Sequence, residues 1–219
     1  LGPTASGKSA LAGGAAVALD GEIISADSMQ VYRGLDIGTA KPTVPEMAGV
    51  PHHLIDVADP QERFSVAQYQ AMGRRALQEV AGRGRLPVVV GGTGLYVRAL
   101  LYDYDFSAPA GDSSRRSELA EIAEREGTGE LVRRLAAVDP VAAAAIHPHD
   151  RRRLVRALEV WHATGRPLSA TWGALPPLYD ALKVGINLPR QQLYERIDRR
   201  VDAMVDGGLF EEVRRLANE

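Results

Sequence analysis

The sequence predicts a parallel α/β sheet flanked by helices and interrupted by a helical insertion. Three observations predict it. The segment Gly2-Pro3-Thr4-Ala5-Ser6-Gly7-Lys8-Ser9 runs straight into an apolar helical stripe, strand-like and helix-like segments alternate to about residue 105, and from 113 to about 171 only helical periods remain. The first of these is the glycine-rich pattern of a phosphate loop, so the expected architecture is P-loop NTPase-like. The expected organisation is a first part of the α/β core over 1–110, a helical insertion over 111–176, and a return to the core over 177–219.

Each element has its own signal. Ala10, Leu11, Ala15, Ala16 and Leu19 form the apolar stripe of the first helix, which stops near Asp20-Gly21. Residues 22–25 read as a short buried strand with Asp27 just past its carboxyl end, and Leu54-Ile55-Asp56-Val57 as another. Ser65 with Gln68 three positions later forms a capping box, and Val66, Tyr69, Met72, Ala76, Leu77 and Val80 supply the core face of the helix it starts. Leu86-Pro87-Val88-Val89-Val90 is a continuous apolar run, as expected of a parallel strand covered on both faces. Gly91-Gly92-Thr93-Gly94 ends it, and Leu95-Tyr96-Val97 opens the next helix.

The insertion shows three apolar helical sets, Leu119 with Ile122 and Ala123, Leu131 with Val132 and Leu135, and Leu154 with Val155, Leu158 and Trp161, the last closed by Gly165 and Pro167. Leu182, Val184, Ile186 and Leu188 then alternate like a strand, which predicts a return to the sheet, and 191–205 reads as a helix broken at Gly207-Gly208. A phosphate loop needs a strand in front of it, and Leu1 stands directly before this one, so the sequence reads as lacking a first strand. Asn218 and Glu219 break off an amphipathic pattern, which reads as a missing C-terminal segment.

Composition narrows the function classes. Apolar residues make up 45% of the 219 and charged residues 25%, the balance of a globular domain and not of a disordered tract. With no cysteine, disulfide frameworks, thiolate metal sites and thiol catalysis are excluded together, and the composition fits a reducing compartment. No apolar stretch approaches the roughly 20 residues of a membrane helix. Net charge is −2, from 26 Lys plus Arg against 28 Asp plus Glu, so any role in nucleic-acid binding must be local.

The residues that carry chemistry follow from the loop. Backbone N–H groups of such a loop ring an anion at a helix N-terminus, Lys8 supplies a positive charge, and Ser9 can ligate Mg²⁺. Asp27 stands where a carboxylate at a strand exit faces a ligand in an open parallel sheet, although spacing alone serves equally well for a residue that caps the following turn. Gly91 to Gly94 exits toward the same edge and can bring the Thr93 hydroxyl to a ligand. Asp150-Arg151-Arg152-Arg153-Leu154-Val155-Arg156 crowds four arginines at a helix start, where the helix dipole favours acids, so either an anion neutralises them or they form a solvated face. Glu195 and Arg199 are spaced for an i,i+4 pair, while Arg196 and Arg200 share another face from which one reaches the phosphates. His147, His149 and His162 lack zinc-ligand spacing, and no histidine is assigned to a metal. Taken this far, the residues also fit a small-molecule P-loop kinase with ATP in the glycine loop and Asp27 activating an acceptor hydroxyl.

Six segments together go further. Residues 2–9, Ile-Ser-Ala-Asp-Ser-Met-Gln-Val-Tyr (24–32), Asp-Ile-Gly-Thr-Ala-Lys-Pro (36–42), Pro-His-His-Leu-Ile-Asp (51–56), Gly-Gly-Thr-Gly-Leu-Tyr (91–96) and Arg-Arg-Leu-Val-Arg-Ala-Leu-Glu (152–159) resemble, in order, the motifs of bacterial tRNA dimethylallyltransferases. The resemblance implies transfer of a dimethylallyl group from dimethylallyl diphosphate to the exocyclic amine of the adenosine 3′ of the tRNA anticodon, with Mg²⁺, in the cytoplasm, by a monomer. Carried over by position, Gly2, Pro3, Thr4, Ala5, Ser6, Gly7, Lys8, Ser9 and Arg200 would bind the diphosphate, with Ser9 on the metal. Asp27 would be the general base, with Lys8 and Thr93 beside it in catalysis. Asp27, Ser28, Met29, Gln30 and Thr93 would line the tRNA side, and Arg152, Arg153, Leu154, Val155 and Arg156 would contact tRNA.

Overall fold

The computed structural model describes residues 1–104, 106, 113–172 and 175–218. The chain divides into two compact units, one formed by Leu1–Tyr104 with Pro177–Glu219 and the other by Asp105–Pro176. The boundary expected between 110 and 111 lies outside the described residues.

In the first unit, β1 (Gly21–Ser25), β2 (His52–His53) and β3 (Leu86–Val90) form a parallel sheet in the order β2-β1-β3, with Ile23 opposite both His52 and Val88. Parallel neighbours need crossovers, and α3 (Val66–Gly82) supplies the one between β2 and β3. Its start is the capping box read from the sequence, with Ser65 Oγ accepting from the Gln68 amide at 3.2 Å and Gln68 Oε1 accepting from the Ser65 amide at 2.8 Å. α4 (Gly94–Leu101) follows β3.

β1 is the central strand, and its burial explains why. Ile24 packs with Ala26, Tyr69, Tyr96 and Leu100 toward α3 and α4, while Ile23 packs on the opposite face with Ala12 and Ala16 of α1 (Lys8–Ala18). Burying each isoleucine contributes about 1.5–3 kcal/mol. The Val88 to Val90 run, expected to be covered on both faces, is instead only partly buried, because β3 has a single strand neighbour among the described residues. A run of β-branched residues does not reveal which strand stands at the centre.

Three further expectations are corrected. The strand read at 54–57 lies earlier, at His52–His53, because Leu54 (φ 63°) and Asp56 (φ 56°) adopt left-handed backbone that ends an extended segment. In α1 the inward face is Ala12 and Ala16, whereas Leu11 and Leu19 are exposed. Small residues are needed there because a Cβ on Gly21 would already lie 3.4 Å from the Ala16 Cα. Finally, residues 181–188 form no strand: their ladder consists of Val184 O accepting from Leu1 N (2.8 Å) and Ile186 N donating to Leu1 O (2.7 Å), and Leu182 is 92% exposed. The chain continues into α9 (Arg190–Asp206) and α10 (Leu209–Ala217), and the short α2 (Val44–Met47) sits between β1 and β2.

The second unit is helical, as the lost strand signal predicts. It contains α5 (Ser113–Arg125), α6 (Thr128–Val138), α7 (Pro140–Ala145), α8 (Arg151–Thr164) and a 3₁₀ turn at Leu168–Thr171. Leu119, Leu131, Leu135, Leu154 and Leu158 form its core. Two acids are buried within it with their hydrogen bonds satisfied. Asp139 caps α7 and takes both the amide (2.8 Å) and the hydroxyl (2.5 Å) of Ser169, and Glu159 accepts a two-pronged bond from Arg116 at 2.6 and 3.0 Å. No helix among the described residues is long and apolar enough to cross a membrane.

Candidate active site

The phosphate loop turns through Ala5 (φ 57°) and Gly7 (φ 90°) and enters α1 with no side-chain cap. The leading amides of α1 therefore have no intrahelical or side-chain acceptor and aim at whatever lies over the loop. The Ser6 hydroxyl is buried beneath it without a hydrogen-bond partner among the described residues. Lys8 Nζ donates to the carbonyl of Pro3 at 2.6 Å, and Arg200, on α9, donates to Thr4 Oγ1 at 3.3 Å. Arg196 approaches from one turn earlier, with Nη1 3.7 Å from where a Cβ on Gly7 would stand. Burial first, and then the Arg200 charge, push the Lys8 ammonium below its ordinary pKa, while Asp27 pulls it up. Bringing an anion to this site relieves that strain.

An open cleft extends from the loop. Thr4, Lys8, Ser9 and Arg200 line one side, Asp27 and Gln30 come from the exit of β1, and Thr39, Ala40 and Pro42 form a further wall. Asp27 does both things that the sequence left open. Its Oδ1 caps the following turn, accepting from the amides of Met29 (2.9 Å) and Gln30 (3.4 Å), yet the residue lines the cleft and Oδ2 has no hydrogen bond among the described residues. Gln30 Nε2 donates to the carbonyls of Thr39 and Ala40, each at 3.3 Å, so it is braced between the two walls.

The second glycine-rich exit is explained by contact. A Cβ on Gly91 would lie 2.1 Å from the carbonyl oxygen of Ala26, so only glycine lets the ends of β1 and β3 meet. Thr93 then donates its hydroxyl to Ser28 Oγ (3.2 Å) and accepts from the Ser28 amide (3.0 Å). It fixes the loop that carries Asp27 and is absent from the cleft lining.

The expected arginine cluster is placed differently. Asp150 caps α8 by accepting from the Arg153 amide at 3.1 Å, Arg151 pairs with Glu124 at 3.0 Å, Arg153 with Asp150 at 3.3 Å and Arg156 with Glu159 at 3.6 Å. The crowded charge is thus largely offset by acids of the same unit. Arg152 is exposed and has no ion pair among the described residues. Leu154 and Val155 are 0% and 7% exposed, so their side chains belong to the helical core and not to an RNA-facing surface. The expected Glu195–Arg199 pair is also replaced: Glu195 Oε1 takes a bond from Gln191 at 3.4 Å, and Arg199 donates to the Glu195 backbone carbonyl at 3.1 Å.

Residue-level reasoning missed the 39–42 wall of the cleft. Its signal lay in Asp36 to Pro42, a segment distinctive enough to carry family resemblance but without a chemical role readable from spacing.

A parallel sheet flanked by helices, with a phosphate-loop pattern at the start of α1 and a carboxylate lining the same cleft, defines an α/β protein of the P-loop type. Residues 30–219 match the IPP transferase family model. The chain is 51% identical over 218 residues to the tRNA dimethylallyltransferase of Geobacillus kaustophilus, covering 99% of this chain and 69% of that protein, and 54% identical to that of Symbiobacterium thermophilum, covering 99% and 68%. The solved structure of the full-length tRNA isopentenylpyrophosphate transferase from Bacillus halodurans superposes with a TM-score of 0.68 at 46% identity, covering 99% of this chain and 68% of that one. A crystallographically studied eukaryotic dimethylallyltransferase acting on tRNA gives 0.86 at 30% identity, covering 99% and 54%. The chain belongs to the IPP transferase family, together with the bacterial tRNA dimethylallyltransferases.

Proposed function

We propose that the protein transfers the dimethylallyl group of dimethylallyl diphosphate to the exocyclic amine of the adenosine 3′ of the anticodon in tRNA. One observation carries this reading: the cations of a phosphate loop and a carboxylate with one unengaged oxygen share a single cleft. An allylic diphosphate ionises readily because the developing cation is delocalised, so the main task is to stabilise the departing diphosphate. The loop amides of residues 2–9, Lys8 and Arg200 are placed for that task. An aromatic amine is a poor nucleophile that must lose a proton as the new C–N bond forms, and Asp27 Oδ2 receives it. The base must first leave its stack to reach the cleft that Asp27 and Gln30 line.

Mg²⁺ fits the donor set. Ser9 offers a hard oxygen ligand in the cleft, and among the described residues no group of three His, Cys, Asp or Glu forms a cage, so the ion would take its remaining ligands from diphosphate and water. Ser9 would hold it, and its charge would neutralise the leaving diphosphate. Arg152, exposed and without an ion pair among the described residues, presents positive charge from the helical unit for a tRNA phosphate, while Arg153 and Arg156 are paired with Asp150 and Glu159. The protein acts as a cytoplasmic monomer in this reading.

The test offers the full-length protein dimethylallyl diphosphate with an anticodon stem-loop, and separately ATP with small acceptors. Prenyl transfer to the RNA alone is the expected result, and phosphoryl transfer overturns the reading.

A further inference from the structure

We propose that Glu212 is a positioning residue for the diphosphate cleft, holding from behind the 36–42 segment that forms one of its walls. This rests on the transfer reading only in taking the cleft as the diphosphate site. Glu212 lies on α10 and is 7% exposed. Its Oε2 accepts from the amides of Asp36 (2.8 Å) and Ile37 (2.7 Å), and its Oε1 from that of Gly38 (2.9 Å). Three consecutive backbone N–H groups thus converge on one carboxylate, the geometry of an anion nest with the anion supplied by the chain itself.

The arrangement is built for an ionised acid. Burial pushes the Glu212 carboxyl up, but the amides of Gly38, Ile37 and Asp36 outweigh it and hold the group below the usual carboxylate range. No cation pairs with Glu212 among the described residues, so the nest is what compensates its buried charge. The fit is close: a Cβ on Gly38 would stand 3.2 Å from Leu209 Cδ1 and 3.4 Å from Glu212 Oε1.

The other side of the same segment faces the cleft. The carbonyl of Thr39 accepts from Arg200 Nη2 at 3.4 Å and from Gln30 at 3.3 Å, and Thr39, Ala40 and Pro42 line the wall. Lys41, whose side chain is 6% exposed, fastens the end of the segment by bonding Asp36 and Asp56 at 2.5 Å each. Arg200, which binds the phosphate loop, and Glu212, which binds the nest, therefore fix one wall from two helices.

Replacing the carboxylate by a carboxamide puts an N–H₂ donor against a backbone N–H and opens the nest. In the full-length protein, Glu212→Gln is expected to raise KM for dimethylallyl diphosphate and the calorimetric Kd for inorganic pyrophosphate about tenfold, leaving kcat and KM for the anticodon stem-loop within about twofold. Glu212→Asp, which keeps the charge, is expected to recover most of the affinity, and Glu211→Gln, an exposed neighbour, to change neither. Amide exchange at 36–38 should accelerate in Glu212→Gln while distant helices stay protected. A fall in kcat alone, or an unchanged pyrophosphate Kd, overturns the proposal, because that is the signature of lost folded fraction. Should Glu212→Gln not fold, Gly38→Ala, which crowds the nest from its other side, must give the same KM-specific loss or the proposal fails. If the wild type binds pyrophosphate but transfers no prenyl group, the transfer reading fails while the pyrophosphate measurements still judge Glu212.

Discussion

At the scale of single residues, the proposed transfer turns on Asp27. Its two oxygens have different surroundings, one capping the 28–30 turn and the other without a hydrogen bond among the described residues. An asparagine keeps the capping oxygen but cannot accept a proton, so Asp27→Asn is expected to fold and bind inorganic pyrophosphate like the wild type while turnover falls by about 10²–10⁴, the usual worth of a general base. Stopped-flow turnover combined with calorimetry checks this, and retained turnover would leave Asp27 with its capping task alone. A carboxylate at a strand exit is legible in the sequence as a candidate. The division of labour between its oxygens is not, because it depends on how the next two amides fold back.

Among the elements, the closest fit in the sheet is at Gly91. The methyl group of Gly91→Ala would meet the backbone of Ala26 at 2.1 Å, where no flexible side chain can yield, so the ends of β1 and β3 must separate. We expect a loss of about 1–3 kcal/mol in urea unfolding, together with weakened pyrophosphate binding, since Asp27 and the phosphate loop are set by that junction. The capping box at Ser65 was readable because it is a local bond between residues three apart, and Ser65→Ala should cost about 1 kcal/mol. The alternation over 181–188 resembled a strand equally well, yet extended residues become a strand only by finding a partner. Here the partner is Leu1, and Leu182 and Val184 face solvent.

For the molecule as a whole, two properties follow from charge placement. Glu22 is buried in β1 with Arg83, His53 and Arg85 around it, and the Arg83 hydrogen bonds foremost, with His53 adding to them, hold its carboxyl at about 2 despite burial. A depressed folded pKa stabilises above the unfolded value of 4.5 and is lost as pH falls through the folded one. Urea unfolding should therefore show stability declining between about pH 4.5 and 2, and Glu22→Gln should be less stable at neutral pH but approach the wild type near pH 2. The net charge of −2 means that attraction to RNA must come from local patches. Arg152 is the arginine of the 151–156 cluster without an ion pair among the described residues, so Arg152→Ala is expected to reduce the salt slope of tRNA binding by about 1. An unchanged slope would place Arg152 on a solvated face.

What the sequence by itself determined is whatever depends on near neighbours along the chain: the phosphate loop, the capped start of α3, the helical character of the insertion and the motifs of the IPP transferase family. Each rests on bonds or periods spanning a few residues, so local order is enough to write them. Only the tertiary structure decided which strand is central, where β2 falls, and that acids of the helical unit offset its arginines. It also brought Glu212 to three amides about 175 positions away. These outcomes depend on which distant surfaces meet, and a buried charge or an extended strand is stable only once its partner has arrived.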